Sequence, residues 1–313
     1  MLLRADRLRR QPIVFKAMTG VTVTEFAELV DDLWGPFRAA ERARRARPGR
    51  KHAVGAGHPF ALAPQEQMLL TVIWLRLYPT MEVLGYLFGV SDTTALRAVG
   101  RVLPLGAPDD LEAAGRDAMR QPDPGRKQRR SLEEVLGGVP ELAVVIDSLE
   151  QRVQRPQDRT EADRYYSGKK KTHTLKSQVA VTQHNGRVID ISPSVRGPTA
   201  DSTLLAQAGL LAWLDPLTLL YGDKAYLKLL HLWVATLVVV PRRKPRNKPR
   251  PPQDVAYNRR VARERIVVEH TICRMRRYAA LSQTDRHHRR YHEARMCAVG
   301  GLVNRHIDHR CAA

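Results

Sequence analysis

Residues Leu142-Ala143-Val144-Val145-Ile146-Asp147 run five apolar side chains, three of them β-branched, straight into an acid. A short run of this kind reads as a strand buried on both faces, and Asp147 is where that strand meets water at the rim of the core. A carboxylate fixed at the end of a rigid central strand is well placed to hold a metal, although Asp also closes strands simply because it starts turns. The pattern recurs: the apolar residues 217–221 lead through Gly222 into Asp223. If the two strands are adjacent and parallel, both carboxylates arrive at one rim.

Further strands surround these two. Residues 151–155 alternate and stop at Pro156, which suggests a second strand paired with the first. Residues 175–182 and 187–193 flank His184-Asn185-Gly186, and Asn-Gly is a strong hairpin signal. Asp201-Ser202 opens a helix reaching Trp213, and 236–240 form another strand. The last large helix is expected over 258–280. On its wheel Val267, Val268, Thr271, Met275 and Tyr278 share one stripe, with Arg265, Glu269, Cys273 and Arg276 on the flank. Glu269 is then either half of a surface pair with Arg265 at i,i+4 or a third acid at the border of the buried face. Two strand-end aspartates and a helical glutamate are what two-metal phosphodiester chemistry requires, because two hard divalent ions need several carboxylate oxygens.

The N-terminal third is helical and basic. A helix over 24–37 precedes an Arg-rich run, 38–51, that is a solvated linker, a phosphate-contacting arm, or both. Over 64–104 three helices are expected. Pro64 starts the first and Pro79 stops it; Thr80 caps a short second; Gly89-Val90-Ser91 turns into a third that Ser91 caps. Short helix, glycine turn and longer helix is the arrangement of a helix-turn-helix, with Arg97 and Arg101 as the side chains for DNA. A small structural bundle is the competing reading. The domain boundaries that follow are a basic arm at 1–60, the helix-turn-helix-like unit at 61–105, a Pro-, Gly- and charge-rich linker at 106–139, and a catalytic domain at 140–310.

Charge decides the partner class. Lys+Arg 52 against Asp+Glu 32 gives a formal net charge of +20 and a pI near 10.5, which favours nucleic acid. Two cationic segments fall inside the catalytic stretch: Lys169-Lys170-Lys171 beside Tyr165 and Tyr166, and the proline-rich loop from Pro241 through Arg242, Arg243 and Lys244 to Pro252. No apolar segment is long enough to span a bilayer, since Met68 to Tyr78 is broken by Arg76, so no membrane is expected and the cytosol is. Cys273, Cys297 and Cys311 are too few and scattered for a disulfide framework or a thiolate zinc site.

Four motifs carry a resemblance. They are Val145-Ile146-Asp147 followed by Val153-Gln154-Arg155-Pro156; Tyr166-Ser167-Gly168-Lys169-Lys170-Lys171-Thr172-His173-Thr174-Leu175-Lys176; Gly222-Asp223-Lys224-Ala225-Tyr226; and Arg265-Ile266-Val267-Val268-Glu269-His270. In this order, over nearly half the chain, they resemble the DDE transposases of bacterial insertion sequences, in the branch shared with the PIF/Harbinger transposases. The resemblance implies an α/β, RNase H-like catalytic core, a mixed sheet flanked by helices, with Asp147, Asp223 and Glu269 as catalytic and metal-binding residues for two Mg²⁺ or Mn²⁺ ions. It implies double-stranded DNA partners, terminal inverted repeats and target, and a homo-oligomer in the synaptic complex. Lys169, Lys170, Lys171, His173, Lys224, Arg242, Arg243, Lys244, Arg265 and Arg276 would then hold the DNA. Two positions depart from the family signature on the last helix: Arg276 stands for its lysine and Ala262 for its tyrosine. Many relatives have His-Asp where this chain has Ala200-Asp201, and Asp201 is expected to start a helix or support the site, with the second-acid role as its alternative. The expected activity is cleavage and strand transfer at inverted repeats. A metal-dependent nuclease and a catalytically silent DNA-binding derivative are the other readings.

Overall fold

One long strand positions everything else. β1 (Ala143–Arg152) pairs antiparallel with β3 (Thr172–Thr182) over its length from Val144↔Thr182 to Arg152↔Thr174. Its other edge is covered at the start, where β6 (Leu219–Tyr221) runs parallel to it from Ala143↔Leu219 to Val145↔Tyr221, and again at the end, where Asp285 N donates to Arg152 O at 2.8 Å. β7 (Leu237–Val239) continues the parallel part beyond β6. With β2 (Tyr166–Ser167), β4 (Val188–Ile191) and β5 (Val195–Arg196) all paired to β3, the described residues form a mixed sheet of order β2-β3-β1-β6-β7. The computed structural model describes residues 3–46, 60–106, 143–214, 218–226 and 237–312. Residues 47–51 of the basic arm, the expected linker at 107–139, and residues 142, 217 and 236 of three expected strands lie outside the described residues.

Two of the expected strands prove to be one. β1 does not stop at Asp147, and residues 151 and 152 extend it instead of folding back on it. The polar residues beyond Asp147 belong to the sheet because tertiary partners satisfy them: Gln151 Nε2 donates to Ala280 O and Gln283 O, both at 2.9 Å.

The helices of the N-terminal region are α1 (Ala5–Leu8), α2 (Pro12–Thr19), α3 (Val23–Arg45), α4 (Pro64–Leu77), α5 (Met81–Phe88) and α6 (Asp92–Val102). The caps fall where the sequence puts them, with Thr80 accepting from Val83 N and Ser91 from Thr94 N. α3 overruns its expected end at residue 37, so residues 38–45 are helical and not a linker; Glu41 pairs there with Arg44 and Arg45. α4 is buried all round from Gln67 to Leu75 and forms the centre of this unit.

In the C-terminal region lie α7 (Arg159–Tyr165), α8 (Asp201–Gln207), α9 (Leu210–Trp213), α10 (Pro252–Arg276), α11 (Ala279–Ser282) and α12 (His292–Ala312). The single helix expected over 201–213 is broken by Gly209, whose φ of 76° ends one helix and starts another. The last large helix begins at Pro252, six residues early, because a proline at the first helical position loses no hydrogen bond there. It ends at Arg276, before the expected 280.

The sheet has two covered faces. Val144, Ile146, Ala180 and Leu220 pack under Leu205, Leu210 and Leu211 of α8 and α9. Val145, Leu149, Val179 and Val181 face Val268, Ile272 and Met275 of α10 and Met296, Val299 and Val303 of α12, in a core that runs without a break into Phe26, Ile73, Trp74 and Phe88 of the N-terminal helices. Among the described residues no helix is long and apolar enough to cross a membrane.

Candidate active site and nucleic-acid interface

The β1–β6 ladder ends at Val145↔Tyr221. Asp147 and Asp223 each lie two residues past that last pair, so the parallel register delivers both to the same rim. Asp147 Oδ1 accepts from Ser148 N at 2.8 Å, and Asp223 Oδ1 from Ala225 N at 2.7 Å, which fixes each carboxylate against its own backbone. α10 crosses this face of the sheet. Tyr257 reaches Val240 O at the end of β7, Arg265 Nη2 stands 3.8 Å from Asp147 Oδ2, and Thr271 donates to Gly186 O in the β3–β4 turn at 2.8 Å.

Charge is concentrated here. Burial raises the Asp147 pKa, the nearby Asp223 and Asp201 add to it, and the Ser148 amide and Arg265 oppose it. Arg265 Nε is buried without an acceptor, which leaves a cationic donor unsatisfied beside the acid. Asp201 Oδ1 lies 3.1 Å from Lys176 Nζ, while that ammonium donates its 2.7 Å hydrogen bond to Thr199 O. Tyr226 is buried among these groups; burial, then Asp201, Asp147 and Asp223, push its phenol well above the ordinary range.

Lys176 and Tyr226 are therefore members of the site that residue-by-residue reading did not single out, although both lie inside motifs quoted above. The signal was the charge itself: Lys176 occupies a strand otherwise buried from Thr174 to Thr182, and a lysine there needs an acid.

Glu269 is placed differently. It is exposed on α10, one turn after Arg265, and makes no hydrogen bond or ion pair among the described residues. Glu264 on the same helix is bound to Gln183 Nε2. Among the described residues no three His, Cys, Asp or Glu side chains are gathered tightly enough to hold an ion. The aspartates thus share a rim, and Glu269 stands on the helix that crosses it.

The cationic segments lie in the same strand direction from the aspartates, but not together. β1, β6 and β7 are parallel, so the loop leaving β7 emerges at the rim of Asp147 and Asp223. In that loop Arg242 is pinned to Asp254 at 2.8 Å and stacks over Tyr257 at 4.4 Å, whereas Arg243 and Lys244 are exposed. Lys169, Lys170 and Lys171 form the exposed tip of the β2–β3 hairpin, with Lys171 in the left-handed region at φ 53°. Asp147 pairs with Val179, seven residues from Thr172, so that tip lies about 23 Å further along the strand direction. His173 packs edge-on against Tyr166 across the hairpin, with ring centroids 5.7 Å apart. Lys224 and Arg276 are exposed.

In the helical unit, α6 presents Thr93, Leu96, Arg97 and Gly100 to solvent. Arg101 turns inward instead, with Nη1 on Gln67 Oε1 at 3.1 Å, Nε 3.6 Å from Glu41 and its guanidinium over Phe60.

Comparison with known proteins gives a consistent result. Residues 146–304 match a family model described as "DDE superfamily endonuclease", and residues 60–107 match one described as "Helix-turn-helix of DDE superfamily endonuclease". The chain is 26% identical over 290 residues, 93% of each sequence, to a protein of Microchaete diplosiphon called "Probable transposase for insertion sequence element IS702". No solved structure matches the chain.

Proposed function

We propose that this chain, which belongs to the DDE superfamily endonucleases, acts as the transposase of an insertion sequence, cutting double-stranded DNA at terminal inverted repeats and joining the released 3′ end to a target. The observation that carries this reading is the register of β1 and β6, which sets Asp147 and Asp223 at equal offsets past the last paired residues, with the Arg265 guanidinium beside them. The donors suit hard divalent ions such as Mg²⁺ or Mn²⁺: they are carboxylate oxygens, and the crowding of Asp147, Asp223 and Asp201 is the kind a divalent cation relieves. When bound, a pair of such ions supplies Lewis-acid activation of the attacking oxygen and neutralises charge at the leaving oxygen.

Asp147, Asp223 and Glu269 are the residues we assign to hold them. Glu269 is preferred over Glu264 because Glu264 is committed to Gln183. Asp201 is assigned a supporting role, because Lys176 already neutralises it. Arg265 orients Asp147 and offers its unsatisfied donor to a phosphate oxygen. The exposed Lys169–Lys171 tip, Lys224, Arg243, Lys244 and Arg276 guide the backbone toward the rim, and Arg97 on α6 touches the repeat. Two or more copies assemble on the paired ends in the cytosol.

The test is Mg²⁺-dependent nicking and joining on duplexes carrying the element's own terminal repeats. Asp147→Asn and Glu269→Gln remove charge and metal affinity but little volume, so each is expected to abolish cleavage while duplex affinity stays within about twofold. A variant that cleaved normally would remove that residue from the site. Nicking without joining by the wild type would favour a nuclease, and binding without either step a silent derivative.

A further inference from the structure

Three helices bring their last turns together around a cavity of about 170 Å³. That is well above the roughly 15 Å³ that admits a single water. Lys16 comes from the end of α2, Arg76 from the end of α4, and Arg274 from the end of α10 with Arg277 just beyond it; Tyr278, and His306 from α12, also line the wall. The opening is ringed by the exposed Lys16 and Arg277, and Arg76 and Arg274 are half-buried deeper in.

The positive charge exceeds what the fold explains. Basic residues in a last helical turn complement the helix dipole, and three C-termini together offset about one and a half charges. Glu25, which accepts from Thr22 N at 2.5 Å and meets His306 Nδ1 at 3.1 Å, offsets one more. Lys16, Arg76, Arg274 and Arg277 bring four positive charges, so an excess of about one and a half remains. Arg76 Nη1 donates to Arg277 O at 2.6 Å, which tethers α4 to the end of α10. Arg274 and Arg277 make no side-chain hydrogen bond or ion pair among the described residues. Burial chiefly, with Arg310 and Arg277 adding to it, lowers the Arg274 pKa.

We infer that this cavity is a binding site for a phosphate group, held by Arg274, Arg277 and Lys16 across the seam between the N-terminal helices and the catalytic region. A phosphate monoester or free phosphate carries about −1.5 to −2 at neutral pH, which matches the excess, and guanidinium pairs grip its oxygens bidentately. Inorganic phosphate and a terminal phosphate of DNA offer this charge, and a backbone diester of DNA, with one negative charge, offers the same oxygens to the guanidinium pair.

Two measurements on the full chain separate these sources. In the first, melting is followed against inorganic phosphate and against sodium chloride at equal ionic strength. A ligand bound only by the folded chain should raise the Tm saturably, by on the order of 2 °C or more, and Arg274→Gln with Arg277→Gln should lose that rise while Arg274→Lys keeps most of it. In the second, duplex affinity is measured against salt. If the group is a DNA phosphate, the double variant lowers the slope of log affinity against log salt by about 0.9 per contact; if it is free phosphate, the slope is unchanged and only the Tm response is lost. Either result supports the site. No phosphate-specific rise in the wild type, together with a wild-type salt slope in the double variant, would overturn it.

Discussion

His292 shows how one residue can tie stability to pH in a protein built for another purpose. Its ring is fully buried, with Nε2 3.0 Å from Gln151 Oε1 and Nδ1 2.7 Å from Ser194 Oγ. Because the Gln151 amide nitrogen already donates to two carbonyls, its oxygen must accept; His292 therefore carries its proton on Nε2 and takes the Ser194 hydroxyl at Nδ1. Burial, and then the charge of Arg295, bring its pKa down to about 4. The unfolded chain binds this proton near pH 6.5 and the folded chain only near 4, so the contribution is complete above pH 6.5 and falls by about 1.4 kcal/mol per pH unit down to 4. His287, lowered by burial and Arg295, acts with the same sign. Urea unfolding of the wild type and His292→Gln across pH 4 to 6.5 checks this: the wild type should show the steeper loss on acidification. Parallel pH profiles would mean that the ring titrates normally.

Helices and turns were legible where their determinants are local, and illegible where a tertiary partner supplies them. Thr80 and Ser91 announce α5 and α6 because a cap acts within three residues. α12 was not anticipated, although Met296, Val299, Val303 and Ile307 recur at helical spacing, because Arg295 and Asn304 interrupt the stripe and are themselves buried. Arg295 is paired with Asp285, and Asn304 brackets the edge of β4 by accepting from Val188 N and donating to Val188 O. At the rim the same division holds. Asp147 and Asp223 follow from two apolar runs, whereas Lys176 and Tyr226 join them only through a register that pairs distant segments. The helix-turn-helix offers a sharp test of sign. A Cβ on Gly85 would stand 2.6 Å from Val90 O and 3.1 Å from Ser91 C, backbone atoms that cannot swing away, so Gly85→Ala should cost about 1–2 kcal/mol despite the better helix former. On Gly100 in α6 a Cβ meets nothing within 4 Å, and Gly100→Ala should stabilise by about 0.5–1 kcal/mol. Denaturant midpoints of the two variants should move in opposite directions. In the loop after β7, where Arg242 is held by Asp254, Arg243→Ala with Lys244→Ala should weaken duplex binding for all sequences alike and flatten its salt dependence, by about 0.9 in slope per lost phosphate contact. An unchanged slope would make the loop a solvated connector.

At the scale of the molecule, the N-terminal helices and the catalytic sheet are joined by more than their common apolar core. Tyr78 at the end of α4 bonds Asp285 Oδ1 at 3.1 Å and receives Arg286 N at 3.2 Å, while Asp285 is also neutralised by Arg295 in full burial. On the other side Glu25 and Glu28 of α3 meet His306, His309 and Arg305 of α12. Trp74 packs against His287 with ring centroids 4.9 Å apart. Polar latches on two sides of a continuous core hold the α6 face at a set distance from the rim of Asp147 and Asp223. Under the function proposed above, that distance is a ruler: the number of base pairs between the bases read by α6 and the bond cut at the rim is set by the packing of α4 against residues 285–287. Inserting two base pairs between those points of the repeat should therefore abolish cleavage while leaving binding intact. Cleavage at the original bond, now two base pairs further from the bases read, would mean that the two parts travel independently. With the seam rigid, a new cleavage position would require its repacking, and under the proposed function an element that keeps this protein keeps the spacing of its own ends.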